Sequence, residues 1–247
     1  MNIFDESSET LEDLQLNGLK LIQEKEAFRF GMDSVLLADF ADIRQQDIVA
    51  DLGTGNGVLI LLLHGRNKGE KYYALDIQEE AAKLTERNMD LNGLRDRTSV
   101  ICGNASDAAE TIPPCSVDKV ICNPPYSHSS SALSSPVRSR SVARTQEDHT
   151  LDCFLKGAFQ ILKGKGKLFM VYPTAQMLEL MKKLQQYHLE PKRFQLVYPF
   201  VNKPANLVLM EAQKDAKPML HPCPPLIVYE EKGVLTDRLK SVYHIEE

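Results

Sequence analysis

Four consecutive residues, Asn123-Pro124-Pro125-Tyr126, carry the clearest chemistry in the sequence. A proline pushes its predecessor out of the helical region, so Asn123 is expected to be extended, with φ locked at both prolines. Neither proline has an N–H, and the local backbone offers carbonyls only. The Asn123 side-chain oxygen and the Pro124 carbonyl are therefore placed to accept both hydrogens of a planar NH₂ group. That frees the nitrogen lone pair to attack an electrophile. Tyr126 supplies a ring on which a base can stack, worth about 1–3 kcal/mol. Asn123, Pro124 and Tyr126 are thus the candidate catalytic residues, and Pro125 joins Tyr126 in binding the substrate.

A second stretch, Asp51-Leu52-Gly53-Thr54-Gly55-Asn56-Gly57, complements the first. Glycines between a strand and a helix let a ligand approach the backbone and the helix N-terminus. The spacing is not the Gly-x-Gly-x-x-Gly of dinucleotide sites. Asp51 disfavours a pyrophosphate there and suits a cationic amino-acid group, such as the methionine end of S-adenosylmethionine. Asp76, ending the next apolar run, can accept hydrogen bonds from ribose hydroxyls, and Asn104 and Ala105 follow the third run, where an adenine would lie.

These residues must be positioned by alternating strand and helix patterns that begin at Ile48. Strands are expected at 48–52, 71–76, 98–103, 117–122 and 167–172, and helices near 57–64, 79–91, 150–163 and 174–187. Two later strands, near 192–198 and 205–212, are joined at Asn202-Lys203-Pro204, too short a link for a parallel crossover. The expectation is an α/β fold whose parallel sheet ends in one antiparallel strand. Ahead of it, Asn17-Gly18 within 14–22 reads as a β-hairpin turn, and Asp33 or Ser34 reads as the cap of a helix through Ala41. Residues 1–45 are read as a hairpin-and-helix cover, 46–214 as the core and 215–247, with Pro218, Pro222, Pro224 and Pro225, as an irregular tail; together they form one domain.

Composition narrows the partners. The five cysteines form no Cys-x-x-Cys pair and the six histidines show no metal spacing, so reduced thiols, a cytoplasmic location and no metal are expected. Neither a membrane span nor a secretory leader is apparent. The net charge of −5 is unevenly spread: residues 1–118 carry −11 and residues 119–217 carry +8. A basic second half in an acidic protein points to a polyanion, with Arg138, Arg140 and Arg144 in the serine-rich loop after Tyr126 as candidate contacts.

The two motifs resemble those of the N6-adenine and N5-glutamine methyltransferases of the Rossmann-like class. Further stretches narrow the likeness: Phe28-Arg29-Phe30-Gly31-Met32-Asp33-Ser34-Val35-Leu36-Leu37-Ala38, Val142-Ala143-Arg144, Glu190-Pro191-Lys192-Arg193, Pro204-Ala205-Asn206-Leu207-Val208-Leu209 and Pro224-Pro225-Leu226-Ile227-Val228-Tyr229. Over nearly its whole length the chain resembles the bacterial tRNA(1)(Val) (adenine-37) N6-methyltransferase-like family. The resemblance implies a class I fold with a seven-stranded sheet, S-adenosylmethionine as cofactor and methylation of an adenosine beside a tRNA anticodon. The candidate cofactor-binding set is Phe30, Gly31, Asp51, Gly53, Gly55, Gly57, Asp76, Ile77, Asn104 and Ala105. Since the amine motif serves any planar NH₂, a protein glutamine amide or guanine N2 in rRNA stands as the alternative substrate. A catalytically silent, cofactor-binding module that interacts with RNA is the reading from another class.

Overall fold

The computed structural model describes residues 4–25, 31–125 and 150–244. Phe30, Tyr126, Arg138, Arg140 and Arg144 lie outside the described residues.

The runs read as core strands form them for a simple reason. In β3 (Ile48–Leu52) the last four residues are all buried, without alternation, as in a central parallel strand covered on both faces. It pairs in parallel with β4 (Lys71–Asp76) on one side and β6 (Val117–Cys122) on the other. Beyond β4 lies β5 (Thr98–Cys102); beyond β6 lies β7 (Leu162–Pro173), both parallel to their neighbours. Then β9 (Leu207–Lys214) runs antiparallel between β7 and β8 (Leu189–Phe200). The seven-stranded order is β5-β4-β3-β6-β7-β9-β8, with one reversed strand, as the sequence led us to expect.

Helices cover both faces. One layer holds α1 (Met32–Phe40), α2 (Val58–Gly65) and α3 (Glu79–Leu91). The other holds α4, over 150–161, and α5 (Met177–Gln186). Two buried apolar clusters result, one around Leu36, Leu61 and Phe169, the other around Leu155, Leu168 and Met210.

Three expectations change. The tail is not irregular. After the prolines, Leu226–Glu231 forms β11, parallel to the free edge of β8, and His221–Pro222 forms a short β10 on the same strand. Strand β12 (Val234–Leu235) and helix α6 (Asp237–Val242) follow. The prolines only punctuate the approach, whereas Leu226 and Val228 alternate inward and Leu239 and Val242 seal against the α1 layer. The sheet therefore has ten strands.

The hairpin is real but wider: β1 (Glu9–Asp13) and β2 (Lys20–Glu24) enclose a six-residue loop. Its Leu16 and Leu19 are buried against Gly65, and Asn17 Nδ2 donates to the Gly65 carbonyl at 2.8 Å, so burial of the loop overrides a tight turn. Asn88 of α3 and Asn92, its C-cap, complete the pairing of β2 by bonding its Ile22 and Lys20 backbone groups.

Neither Asp33 nor Ser34 caps α1. The cap is Gly31, with no side-chain bond to the helix, and Ser34 is left to face inward.

Candidate active site

The C-terminal edge of the parallel strands carries two adjoining cavities, of about 630 Å³ and 280 Å³. Gly53, Gly55, Asp76, Gln78 and Asn123 line both. Gly53 and Gly55 adopt φ of +74° and +59°, the left-handed region that favours glycine. A Cβ on Gly55 would meet nothing within 4 Å, whereas one on Gly53 would come within 2.9 Å of the Phe154 ring. The loop is thus an open cradle with one tight wall.

Asp76 ends β4 and organises the cradle. Its Oδ2 accepts from the Gly55 N–H at 2.8 Å and its Oδ1 from the Gln78 N–H at 3.0 Å. Each oxygen keeps a second lone pair for a ribose hydroxyl. Ile77 is 65% exposed, unusual for isoleucine, and it lines the larger cavity together with Ala105, Cys153 and Phe154. Asn104 lines the same cavity, its own oxygen accepting from the Ser106 N–H. An acidic acceptor for a diol, flat apolar walls for a base and a bare glycine floor fit an adenosine-containing cofactor.

Asp51 sits just beneath. It is fully buried, its Oδ2 accepts from Thr54 Oγ1 at 2.8 Å, and its Oδ1 has no partner among the described residues. Burial, opposed by the Thr54 bond and reinforced by the Asp76 charge, pushes its pKa up to about 7. Asp51 lines neither cavity; with one oxygen orphaned and its ionisation disfavoured by burial, it is a carboxyl group that a nearby cationic amino group would help to ionise.

Not every expected residue faces the cavities. Gly57 starts α2 at φ +79°, where a Cβ would strike Met89 and Thr85, so it serves close packing on α3. Gly31 caps α1 and lines neither cavity. Asn123 directly follows β6, with Pro124 and Pro125 beside it on the larger cavity. The sequence reading missed Ser34, Thr150, Cys153 and Phe154; Gln23 and Glu24 of β2 also line the smaller cavity. Only tertiary packing brings these in; of them only Ser34 lies in a stretch singled out above.

A further cavity of about 800 Å³ opens at the other end of the sheet, lined by Lys68, Lys167, Arg193 and Glu211 among others. Its cations are paired: Lys167 and Arg193 with Glu211, and Lys68 with the carbonyls of Ala38, Asp39 and Ala41. Lys119, Lys163 and Lys183 are also in ion pairs, and Lys214 is enclosed by the Phe159 and Leu162 carbonyls. Among the described residues no cluster of His, Cys, Asp or Glu could hold a metal ion, and no helix is long and apolar enough to cross a membrane.

Comparison with known proteins adds the family. The model of the methyltransferase small domain matches residues 30–194. The chain belongs to that family. It is an S-adenosylmethionine-dependent methyltransferase, and the expected kinship with the tRNA1(Val) (adenine-37) N6-methyltransferase-like proteins holds. The tRNA1(Val) (adenine(37)-N6)-methyltransferase of Bacteroides thetaiotaomicron is 30% identical over 73% of this chain and 80% of its own length. Its counterpart in Dyadobacter fermentans is 26% identical over 87% and 88%. Among solved structures, a predicted O-methyltransferase from Agrobacterium tumefaciens superposes with a TM-score of 0.68 at 21% identity, covering 86% of this chain and 96% of that one. M. jannaschii TYW2 in complex with AdoMet reaches 0.56 at 16% identity, over 85% and 87%. At these identities the solved structures speak to the fold alone.

Proposed function

We propose that this methyltransferase transfers a methyl group to N6 of an adenine in a structured RNA, a tRNA near its anticodon. The observation that carries the reading is Asn123, an amide acceptor on the shared wall of both cavities with two prolines after it. Relatives named for adenine-37 of tRNA1(Val) favour adenine over the glutamine amide and guanine N2.

In this reading the cradle of Gly53 and Gly55, with Asp76, Ile77, Asn104 and Ala105, holds S-adenosylmethionine, which supplies the activated methyl group. Asn123 Oδ1 and the Pro124 carbonyl accept the two amine hydrogens, holding the nitrogen in line. Tyr126 and Pro125 stack on the base; Arg138, Arg140 and Arg144 contact phosphates. Positioning carries most of the acceleration, because no group need activate the methyl donor. The whole chain works as one unit in the cytoplasm.

Unmodified tRNA incubated with protein and cofactor, then digested for mass spectrometry of nucleosides, tests the proposal. N6-methyladenosine at a single tRNA position is expected, with turnover by Asn123→Ala reduced at least about a hundredfold and its affinity for S-adenosylhomocysteine unchanged. Methylguanosine, or no methylation of RNA, refutes the substrate. Near-normal turnover by Asn123→Ala refutes the role of the amine motif.

A further inference from the structure

The glycine loop of the cradle closes as a tight turn. The Gly57 N–H donates to the Thr54 carbonyl at 2.9 Å, which leaves Gly55 and Asn56 as the two central residues. Gly55 has φ +59°, whereas Asn56 is not among the residues with positive φ, and those signs make the turn type II′. Type I′ shares the first sign and differs by a positive φ at the second residue, which asparagine tolerates. The two forms are related by a half-turn of one peptide, that between Gly55 and Asn56. A trans peptide carries its carbonyl on one side and its N–H on the other, so the half-turn decides which of them meets a ligand.

Helix α3 holds this peptide one way up. Thr85 Oγ1 donates to the Gly55 carbonyl at 2.8 Å. A carbonyl only accepts, so the hydroxyl hydrogen is committed to this bond and the contact has a single sense. A helical threonine can give its hydrogen to a carbonyl one turn back, but this one is spent on a residue 30 positions away. One turn further along, Asn88 Nδ2 donates to the Asn56 carbonyl at 2.9 Å, its amide fixed in turn because Oδ1 accepts the Ile22 N–H. With its carbonyl drawn to α3, the Gly55–Asn56 peptide turns the Asn56 N–H away from that helix. Thr85 is fully buried and lines neither cavity, whereas Gly55 and Asn56 line the smaller one. Among the described residues the Asn56 N–H has no partner.

The larger cavity has the walls for the base, so the smaller one is left for the amino-acid end of the cofactor. Of the described residues lining it, Glu24, Asp76 and Glu80 are acidic and none is lysine, arginine or histidine. The acids suit the ammonium group. The carboxylate is left to uncharged donors, and a backbone N–H aimed at it is one.

We propose that Thr85 is a positioning residue that holds the Gly55–Asn56 peptide with the Asn56 N–H toward the carboxylate of S-adenosylmethionine. The proposal rests on the glycine loop being the cofactor site.

Calorimetry with two probes tests it: S-adenosylhomocysteine, and 5′-methylthioadenosine, which has the adenosine and the sulfur but no amino acid. Thr85→Val keeps the shape and removes the donor. Loss of one hydrogen bond's preference lets the peptide populate both orientations, so affinity for S-adenosylhomocysteine should fall about three- to tenfold. Affinity for 5′-methylthioadenosine, indifferent to that peptide, should stay within roughly twofold of wild type. Thr85→Ser, which keeps the hydroxyl, should bind both probes as wild type does. In the wild-type protein the Asn56 amide proton, followed by NMR, should move downfield with S-adenosylhomocysteine and stay near its free position with 5′-methylthioadenosine. Equal weakening of both probes by Thr85→Val, or of neither, overturns the proposal, as does a Thr85→Ser protein that binds like Thr85→Val. An Asn56 amide that ignores S-adenosylhomocysteine overturns it too, and that measurement needs no variant to fold. Asp76→Ala separates the inference from the reading beneath it, because both probes carry the ribose. Should that variant bind both normally, the cradle is not the cofactor site; should it lose both while Thr85→Val loses neither, the cradle stands and this inference falls.

Discussion

Gly157, in the middle of α4, gives the sharpest quantitative test of how the cofactor site is built. A Cβ there would lie 1.9 Å from the Ala105 carbonyl oxygen and 3.0 Å from its carbon, against 3.4–4 Å for ordinary contact. The opposing atoms are backbone, so no flexible side-chain tip can swing away. Replacing a mid-helix glycine with alanine ordinarily gains about 1 kcal/mol in helix propensity. Overpacking of this kind costs about 1–3 kcal/mol, and the larger figure applies where backbone must shift. The clash should win. Gly157→Ala is expected to lose about 1–2 kcal/mol, a fall of roughly 2–8 °C in Tm for a chain of this size. Ala105 and Phe154, on the two sides of the contact, line the cofactor cavity, so the cofactor should feel the shift too. Melts with and without S-adenosylhomocysteine separate the effects: a ligand at a hundred times its Kd raises stability by about 2.7 kcal/mol, and a tenfold weaker Kd cuts that to about 1.4. Gly164→Ala is the control, because a Cβ at that exposed site meets nothing within 4 Å. A Gly157→Ala protein that melts at or above the wild-type temperature, with the full ligand-induced rise, would refute the close approach of α4 to Ala105.

Two further outcomes follow from the carboxylates. Asp76→Ala removes both the ribose acceptor and the bond that shapes Gly55, so affinity for S-adenosylhomocysteine in calorimetry should drop about ten- to a hundredfold; an unchanged Kd removes Asp76 from the site. Asp51, raised from 3.8 to about 7 chiefly by burial, keeps its proton in the native state over a range where the unfolded chain has lost it. Between those values the native state binds more protons, so this group's contribution to stability falls as pH rises through the window. Asp51→Asn cannot ionise, and denaturant melts of the ligand-free protein should show its stability gaining on wild type from pH 5 to 8; parallel profiles would mean that Asp51 titrates normally.

The fold was legible where burial and pattern act locally. Val49 to Leu52, Val120 to Cys122 and Leu168 to Tyr172 are, Asp51 apart, apolar and buried on both faces, and such runs admit little besides central strands. The link at Asn202-Lys203-Pro204 announced the antiparallel pair of β8 and β9 by its length alone. The tail misled because four prolines dominate its composition, whereas what decides its structure is the free edge of β8, invisible from residues 215–247 themselves. Charge is legible only in part. The basic excess is visible in sequence, but whether a lysine meets solvent or a carboxylate depends on partners such as Asp118 for Lys163 and Glu211 for Lys167.

The site divides along the same line. Gly53, Gly55, Asp76 and Asn123 could be read because each needs a special backbone or a strand end, and both are written within a few residues. Phe154, Cys153 and Gly157 could not, since α4 earns its place only by lying against Ala105, some fifty positions earlier in the chain. Ser34 shows the difference most clearly. Local rules make a serine at the start of a helix a cap, and the helix here is capped by Gly31 instead. The serine's hydroxyl reaches a residue 89 positions away, whose own neighbours, two prolines, cannot satisfy it. Prolines that deny Asn123 a local partner and a serine that supplies a distant one act on the same carboxamide. Asn123 therefore has its one side-chain partner among the described residues only when α1 is docked.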